Sequence, residues 1–482
     1  MTDRRDLCFL TGVRALELFR RGDLSPVELL RAQIERARQT EPTINAFTET
    51  FFEQAMAEAQ QAEKRYLARA DDLRPLEGLT VAIKDMLDQK GARNTRGSLI
   101  YKDNFSDKDH PVVARIRQAG GIIHARTTTS EFAFGWITAT RLWGVTRNPW
   151  NPELTPGGSS GGAAASLAAG SSTLAIGTDS AGSIRVPAAL CGVVGYKPPR
   201  GRVPDPCDGH DPFNAIGSMA RCVADCALLQ NVISGIHPDD VTSLREKPVI
   251  PLHLEPLTNL RLAISLDLGM TEPTREIMRV TREAASKLSA QGISIQEPAI
   301  HWPAGITENA RLYSTGLIAP ELLTIDREHG KELCDYTQYA VAAARNCSLN
   351  DISTGMATAR NLYRELVGIL EDFDALICPV VLTNRIGAEQ KPWVRMKVNG
   401  VELDSDYDWV TTPHFNMLGE LPAFVLPIGQ DVDGLPVGLQ IVTRSYDDLR
   451  AFLVAATIEQ LLNGDQPRGF SRAQLGASVA PG

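Results

Sequence analysis

Between Pro156 and Gly195 the chain concentrates glycine, alanine and serine, and Asp179 and Arg185 are the only charged residues of that stretch. A glycine-rich run of this kind can hold a phosphate, bind a dinucleotide or present a nucleophile. The phosphate reading requires GxxxxGK followed by Ser or Thr, and no such string occurs. No GxGxxG lies here between a strand and a helix either. Gly158-Ser159-Ser160-Gly161-Gly162 does satisfy GxSxG about Ser160, but a nucleophile elbow needs a buried strand immediately before it. Asn148 to Pro156 carries three prolines and reads as loop. The structural alternative is that the glycines permit tight turns and the serines cap helices. So many hydroxyls in a stretch apolar enough to be buried strain that alternative, because each needs a hydrogen-bond partner there. A serine nucleophile also needs a proton acceptor within reach, and no later histidine sits in an evident motif.

Periodic segments surround this stretch. Ser25-Pro26-Val27-Glu28 combines a capping box with proline at the first helical position, and Leu29, Leu30, Ile34 and Ala37 keep one apolar face to about Gln39. A second helix is predicted over Phe52 to Ala68. Leu79 to Ile83 suits a buried strand ending at Lys84-Asp85, Pro111 to Ala119 a helix stopped by Gly120-Gly121, and Ile122 to Ala125 a second strand. Strand, crossover helix and strand imply a parallel pair, hence an α/β sheet. His124 reads as a packed core or edge residue rather than a catalyst. Ser218 to Ile233 is predicted helical, and the middle of the chain to about Glu371 mostly helical with loops. Ala423 to Ile428 and Leu435 to Thr443 read as strands joined by a turn at Asp433-Gly434, with a closing helix over Tyr446 to Leu462. With no internal repeat, one large domain over residues 1–482 is the economical reading.

Composition narrows the function classes. A chain of 482 residues with 43% hydrophobic and 22% charged residues is not a disordered polymer. A net charge of −9 recommends neither a nucleic-acid backbone nor an anionic membrane as partner. Eight cysteines in so long a chain do not make a disulfide framework. Cys222 and Cys226, with no CxxC pair beside them, read as buried thiols and not as metal ligands. Leu7 to Val13 lacks the apolar core and cleavage site of a signal peptide, so the cytoplasm is expected. The uncharged run Leu154 to Thr178 is long enough to span a bilayer but too rich in Gly, Ser and Thr for a membrane helix.

Several independent motifs then fall in order. They are Val81-Ala82-Ile83-Lys84-Asp85, Gly144-Val145-Thr146-Arg147-Asn148-Pro149-Trp150-Asn151 and Pro156-Gly157-Gly158-Ser159-Ser160-Gly161-Gly162. Gly177 to Ala188, Gly195-Tyr196-Lys197-Pro198, Gly217 to Arg221 and Gly434 to Ile441 continue the series. In this order and spacing the chain resembles the amidase signature family, serine hydrolases acting on carbon–nitrogen bonds of amides and related compounds. The similarity is dense from about Leu79 to Ala227, returns at Ala375 to Pro379 and after Gly419, and is thin between. The resemblance implies an α/β fold with a single large mixed β-sheet core covered by helices on both faces. It also implies a signature core over about 75–230 and a variable, mostly helical substrate-pocket region over about 231–370.

For the site, the resemblance assigns Ser183 as nucleophile, Ser159 as a bridging serine held by a cis peptide, and Lys84 as the base; spacing alone does not choose Ser159 over Ser160. An unperturbed lysine near pKa 10.4 is only about one part in a thousand neutral at physiological pH. Lowering it to about 7–8 takes about 4 kcal/mol of destabilised charge, which burial supplies. The alternative for Lys84 is a solvated lysine at a strand end. Backbone N–H groups of Ser180, Ala181, Gly182 and Ser183 are expected to form an oxyanion hole. Ser160, Asp179 and Arg185 are expected to hold the nucleophile loop. No metal or organic cofactor is implied. One departure stands out: the family usually has Gly-Gly-Ser before the nucleophile, whereas this chain has Ala181-Gly182-Ser183. If the first position demanded φ > 0, alanine would cost about 1–2 kcal/mol; otherwise its methyl could face substrate.

By the same resemblance, the segment Glu131 to Trp136 lies beside the substrate channel. Phe132, Ala133, Phe134, Gly135 and Trp136, followed by Trp143, suit an apolar or aryl group, with plain packing as the alternative. The loop bearing Trp393 and Trp409 is expected to help close the pocket. An aryl amide, anilide or carbamate, a small molecule, is the leading substrate class. The rival within the fold is the glutaminase subunit of a tRNA-dependent amidotransferase, whose members typically have Gln where this chain has Val186. A catalytically silent scaffold is a rival of another kind. A homodimer stays open.

Overall fold

The computed structural model describes residues 4–206, 211–303, 305–318 and 320–463. The one-domain reading over 1–482 reaches residues at both ends that lie outside the described residues. Ser25 starts the helix Pro26–Ile44 as its sequence predicts: Ser25 Oγ accepts the Glu28 N–H, and the Glu28 carboxylate accepts the Ser25 N–H. The helix runs past Gln39 and through Pro42, ending at Asn45 in the left-handed region (φ 50°).

Eleven strands form one sheet. In chain order they are β1 (Phe47–Thr50), β2 (Thr80–Lys84), β3 (Ile122–Thr127), β4 (Leu174–Thr178), β5 (Val194–Lys197), β6 (Ile216–Ala220), β7 (Arg261–Ile264), β8 (Ser294–Gln296), β9 (Ala375–Pro379), β10 (Ala423–Gln430) and β11 (Pro436–Val442). Their spatial order is β1-β3-β2-β4-β6-β5-β10-β11-β9-β7-β8. β2 pairs in parallel with β3 and β4, and β9 with β7, whereas β4-β6-β5-β10-β11-β9 is antiparallel throughout. The predicted parallel pair, the C-terminal hairpin and the closing helix (Asp448–Asn463) are all present.

Alternation along the strands divides the core into two faces. Val81, Ile83, Leu174 and Ile176 pack with the helix Val223–Ile233 on one face. Ala82, Ala175, Met219 and Val425 pack with the helices Gly161–Ala169 and Arg185–Cys191 on the other. Small residues on this second face let the helices approach the sheet closely. A Cβ at Gly162 would lie 2.5 Å from both Ala46 O and Thr128 N.

The helix predicted from Ser218 begins later. Ile216–Ala220 is the strand β6, between β4 and β5, and the helix starts at Val223 after an extended Cys222. Ladder hydrogen bonds on both sides of β6 outweigh the weak helical preference of Ser218-Met219-Ala220. Cys222 and Cys226 are buried free thiols, and burial pushes both well above the usual thiol range. His124 is packed in the core: its Nε2 lies 3.0 Å from Ser171 O and 3.1 Å from Ser172 Oγ, and burial lowers its pKa to about 4. Among the described residues no helix is long and apolar enough to cross a membrane.

Candidate active site

Lys84 ends β2 on the same side as Ala82, so its side chain points to the face covered by the Gly161–Ala169 helix. It is 0% exposed, which excludes the solvated strand end. Its Nζ donates to Ser159 Oγ and to Thr178 Oγ1, both at 2.7 Å. Among the described residues no carboxylate comes within ion-pair distance of it. Burial lowers its pKa to about 7, although the charge of Asp179 acts to raise it.

Three segments close around this amine. The Gly158–Ser159 peptide is cis, as the resemblance implied. Ser160 Oγ donates to Thr178 O (3.2 Å) and accepts the Thr178 N–H (3.3 Å), which fastens the serine pair to the end of β4. The Ser160 N–H donates to Ser183 O at 3.1 Å, so the main chain of the predicted nucleophile is tied to the serine pair as well. Ser183 itself is 6% exposed and opens onto a pocket.

Asp179 organises the loop that carries Ser183. Its carboxylate accepts N–H groups from Gly182 (2.8 Å), Ile184 (3.2 Å) and Arg185 (3.3 Å), and pairs with the buried Arg185 guanidinium at 2.9 Å. Burial alone would raise this carboxyl, but Arg185, Asn416 and Lys197 hold it at about 2. Arg185 is in turn held by Gln440 Oε1 (2.6 Å) and by Asn416 Oδ1. Thr178, Asn416 and Gln440 are site residues that the sequence does not single out.

Of the N–H groups expected to form an oxyanion hole, that of Gly182 donates to Asp179 Oδ1. The N–H groups of Ser180, Ala181 and Ser183 have no protein acceptor among the described residues. The positive φ falls on Gly182 (129°), where a Cβ would collide with the Thr412 side chain, and Ala181 lies outside the left-handed region.

The pocket at Ser183 is lined by Phe132 to Ile137, Ser180 and Ala181. Phe132 (φ 52°), Ala133 (φ 59°) and Gly135 (φ 103°) turn this segment back on itself. Trp136 meets Tyr407 and Trp409 edge-on, with ring centroids 5.4 and 6.1 Å apart. The middle of the chain supplies another wall, including Tyr336, whose oxygen accepts the Glu131 N–H at 2.6 Å. The Glu131 carboxylate, itself accepting the Cys334 N–H at 2.6 Å, fastens that wall to the pocket turn. Trp143 stands apart from the pocket, with Nε1 donating to Thr95 Oγ1 (3.0 Å) and Arg93 over its ring. Trp409 lines the pocket, whereas Trp393 packs on Tyr339 and is 45% exposed.

This fold coincides with that of known hydrolases. The Amidase family profile matches residues 28–451, and the chain belongs to that family, the amidase signature hydrolases of carbon–nitrogen bonds. An acylamidase of Rhodococcus erythropolis is 31% identical over 449 residues, covering 91% of this chain and 92% of the relative. A glutamyl-tRNA(Gln) amidotransferase subunit from Synechococcus sp. (strain CC9605) is 32% identical over 496 residues, covering 95% and 97%. Among solved structures, a bacterial aryl acylamidase of the amidase signature family superposes with a TM-score of 0.85 at 25% identity, covering 94% of this chain and 96% of the other.

Proposed function

We propose that the chain is a stand-alone amide hydrolase in which Ser183 is the nucleophile, Ser159 the proton relay and neutral Lys84 the base. The observation that carries this reading is the 2.7 Å hydrogen bond between a wholly buried lysine and Ser159 Oγ, in a loop bonded to Ser183. Ser183 Oγ forms a bond to the acyl carbon while its proton passes through Ser159 to Lys84. Oxygen charge develops near the N–H groups of Ser180, Ala181 and Ser183; each such donor is worth about 3 kcal/mol in the transition state. Lys84 returns the proton through the serine to the leaving nitrogen as the C–N bond breaks. Water, giving its proton to Lys84 by the same route, then bonds to the acyl carbon, and that proton returns through Ser159 to Ser183 Oγ as the ester bond breaks. The reading needs no metal or organic cofactor.

The substrate class is an aryl or apolar amide, anilide or carbamate. Its support is the aromatic wall of Phe132, Trp136, Tyr407 and Trp409, together with the likeness to an aryl acylamidase. The amidotransferase glutaminase is the second reading, favoured by relatives of similar identity and opposed by Val186. A fluorophosphonate probe followed by peptide mapping is expected to label Ser183; stable labelling elsewhere would remove it as nucleophile. In a panel of anilides, carbamates and L-glutamine, the purified chain is expected to hydrolyse anilides unaided. Glutamine hydrolysis that appears only with partner subunits would favour the second reading.

A further inference from the structure

The pocket at Ser183 is mostly apolar, yet Arg311, Lys391 and Asp406 also line it. Both cations are committed. Arg311 Nε and Nη2 lie 2.7 and 2.6 Å from the Glu308 carboxylate, and Lys391 Nζ lies 2.8 Å from Asp335 Oδ2. The nearby Asp408 is satisfied by Ser405, whose N–H and Oγ donate to it at 2.8 and 3.1 Å. Asp406 differs: among the described residues its carboxyl hydrogen-bonds only its own N–H, with the charges of Arg311 and Asp408 acting on it in opposite senses at longer range. Burial leaves that carboxyl raised to about 7, consistent with a charge lacking compensation. When the paired charges cancel, one acidic group remains on the pocket wall.

We propose that Asp406 selects substrates bearing a primary amine, holding the ammonium group while Trp136, Tyr407 and Trp409 enclose the hydrocarbon between that amine and the scissile amide. A carboxylate at the same place would be repelled, and a methyl group would leave the half-buried acid uncompensated. This assignment rests on reading the Ser183 pocket as the substrate site.

The test is calorimetric binding to the full chain carrying Ser183→Ala, so that turnover is not required. Two matched amide pairs are used, one with a primary amine on the acyl side and one with it on the leaving-group side, each against its methyl congener. In one pair the amine is expected to bind about tenfold tighter or more, as a charge-assisted hydrogen bond allows. Asp406→Asn is expected to bring the two congeners together, and Asp406→Lys to turn the preference toward a carboxylate-tipped congener. Equal binding in both pairs, no binding at all, or a preference that survives Asp406→Asn overturns the proposal. The preference is read before Asp406 is changed, so it stands or falls without either Asp406 variant folding. If the parent chain hydrolyses no amide while the binding preference is intact, the hydrolase reading falls and the role of Asp406 remains.

Discussion

Lys84 and Lys197 are both wholly buried, and burial lowers both to about 7. Their surroundings part them. Lys84 Nζ donates to two hydroxyls at 2.7 Å, one of them in the loop bonded to Ser183. Among the described residues Lys197 Nζ reaches only the carbonyl oxygens of Pro198 and Gly419, at 3.5 and 3.4 Å, near the Asp179–Arg185 pair. A carbonyl can accept a hydrogen bond but has no proton to pass on, whereas a hydroxyl both accepts and donates. A lowered lysine pKa therefore does not by itself mark a base; the proposed mechanism also needs a hydroxyl partner that can carry the proton, which Lys84 has.

Replacing each lysine by methionine tests that distinction most strongly. Lys84→Met is expected to lower kcat by about 10²–10⁴-fold, the range of a lost general base, and Lys197→Met by less than about tenfold. Steady-state kinetics on a hydrolysed anilide provide the measurement. Equal losses in the two variants would break the comparison.

The two sites should behave alike in stability, because burial acts on both. For Lys84 the fall from 10.5 to about 7 corresponds to about 5 kcal/mol of disfavoured ammonium. Below pH 7 folded and unfolded chains both hold the proton, and this cost is felt in full. Between about 7 and 10.5 only the unfolded chain holds it, so the cost is progressively relieved. Denaturant unfolding should thus show each methionine variant more stable than the parent at neutral pH, with the gap narrowing as pH rises. Activity follows the same group in the other sense: kcat/KM rises through about pH 7 as Lys84 loses its proton. A flat profile down to pH 5 would sink the assignment of the base.

A third test makes Lys84 more like Lys197. Thr178→Val removes one of the two hydroxyls around the amine and leaves the volume nearly unchanged. About a tenfold fall in kcat is expected, with the acid limb of the pH profile moving lower because the ammonium loses an acceptor. An unchanged profile would mean that Thr178 does not help hold Lys84.

Thr178 also shows where the sequence stops speaking. Four of the eleven strands are legible in it, namely β2, β3, β10 and β11, because runs such as Leu79 to Ile83 are compact and aliphatic. β4 lies inside the glycine-serine stretch, where composition suggests loop, and it becomes a strand through pairing with β2 and β6. The contact between Lys84 and Thr178 depends on that pairing. Ser183, Ser159 and Lys84 are legible only through the motifs of a family. Asn416 and Gln440 lie more than two hundred residues from Asp179 and Arg185, so neither local period nor spacing could announce them. Trp143, legible as an aromatic near the channel, is spent on Arg93 and Thr95.

The smallest effect is expected at Ala181, which alters the nucleophile loop and touches neither lysine. Glycine is required one residue later: Gly182 has a φ of 129° and no room for a Cβ beside Thr412. Ala181 has no such strain to relieve, and its carbonyl is held by Thr412 Oγ1 at 2.6 Å. Ala181→Gly should therefore change kcat by no more than about threefold while lowering stability by about 0.5–1 kcal/mol through the freer unfolded chain. The methyl group lines the pocket, so its loss should appear in KM and favour bulkier groups next to the scissile carbonyl. A gain of about tenfold or more in kcat would mean that alanine holds the oxyanion donors out of place. The loss in Lys84→Met would then have to be measured again in the glycine background before it could be compared with Lys197→Met.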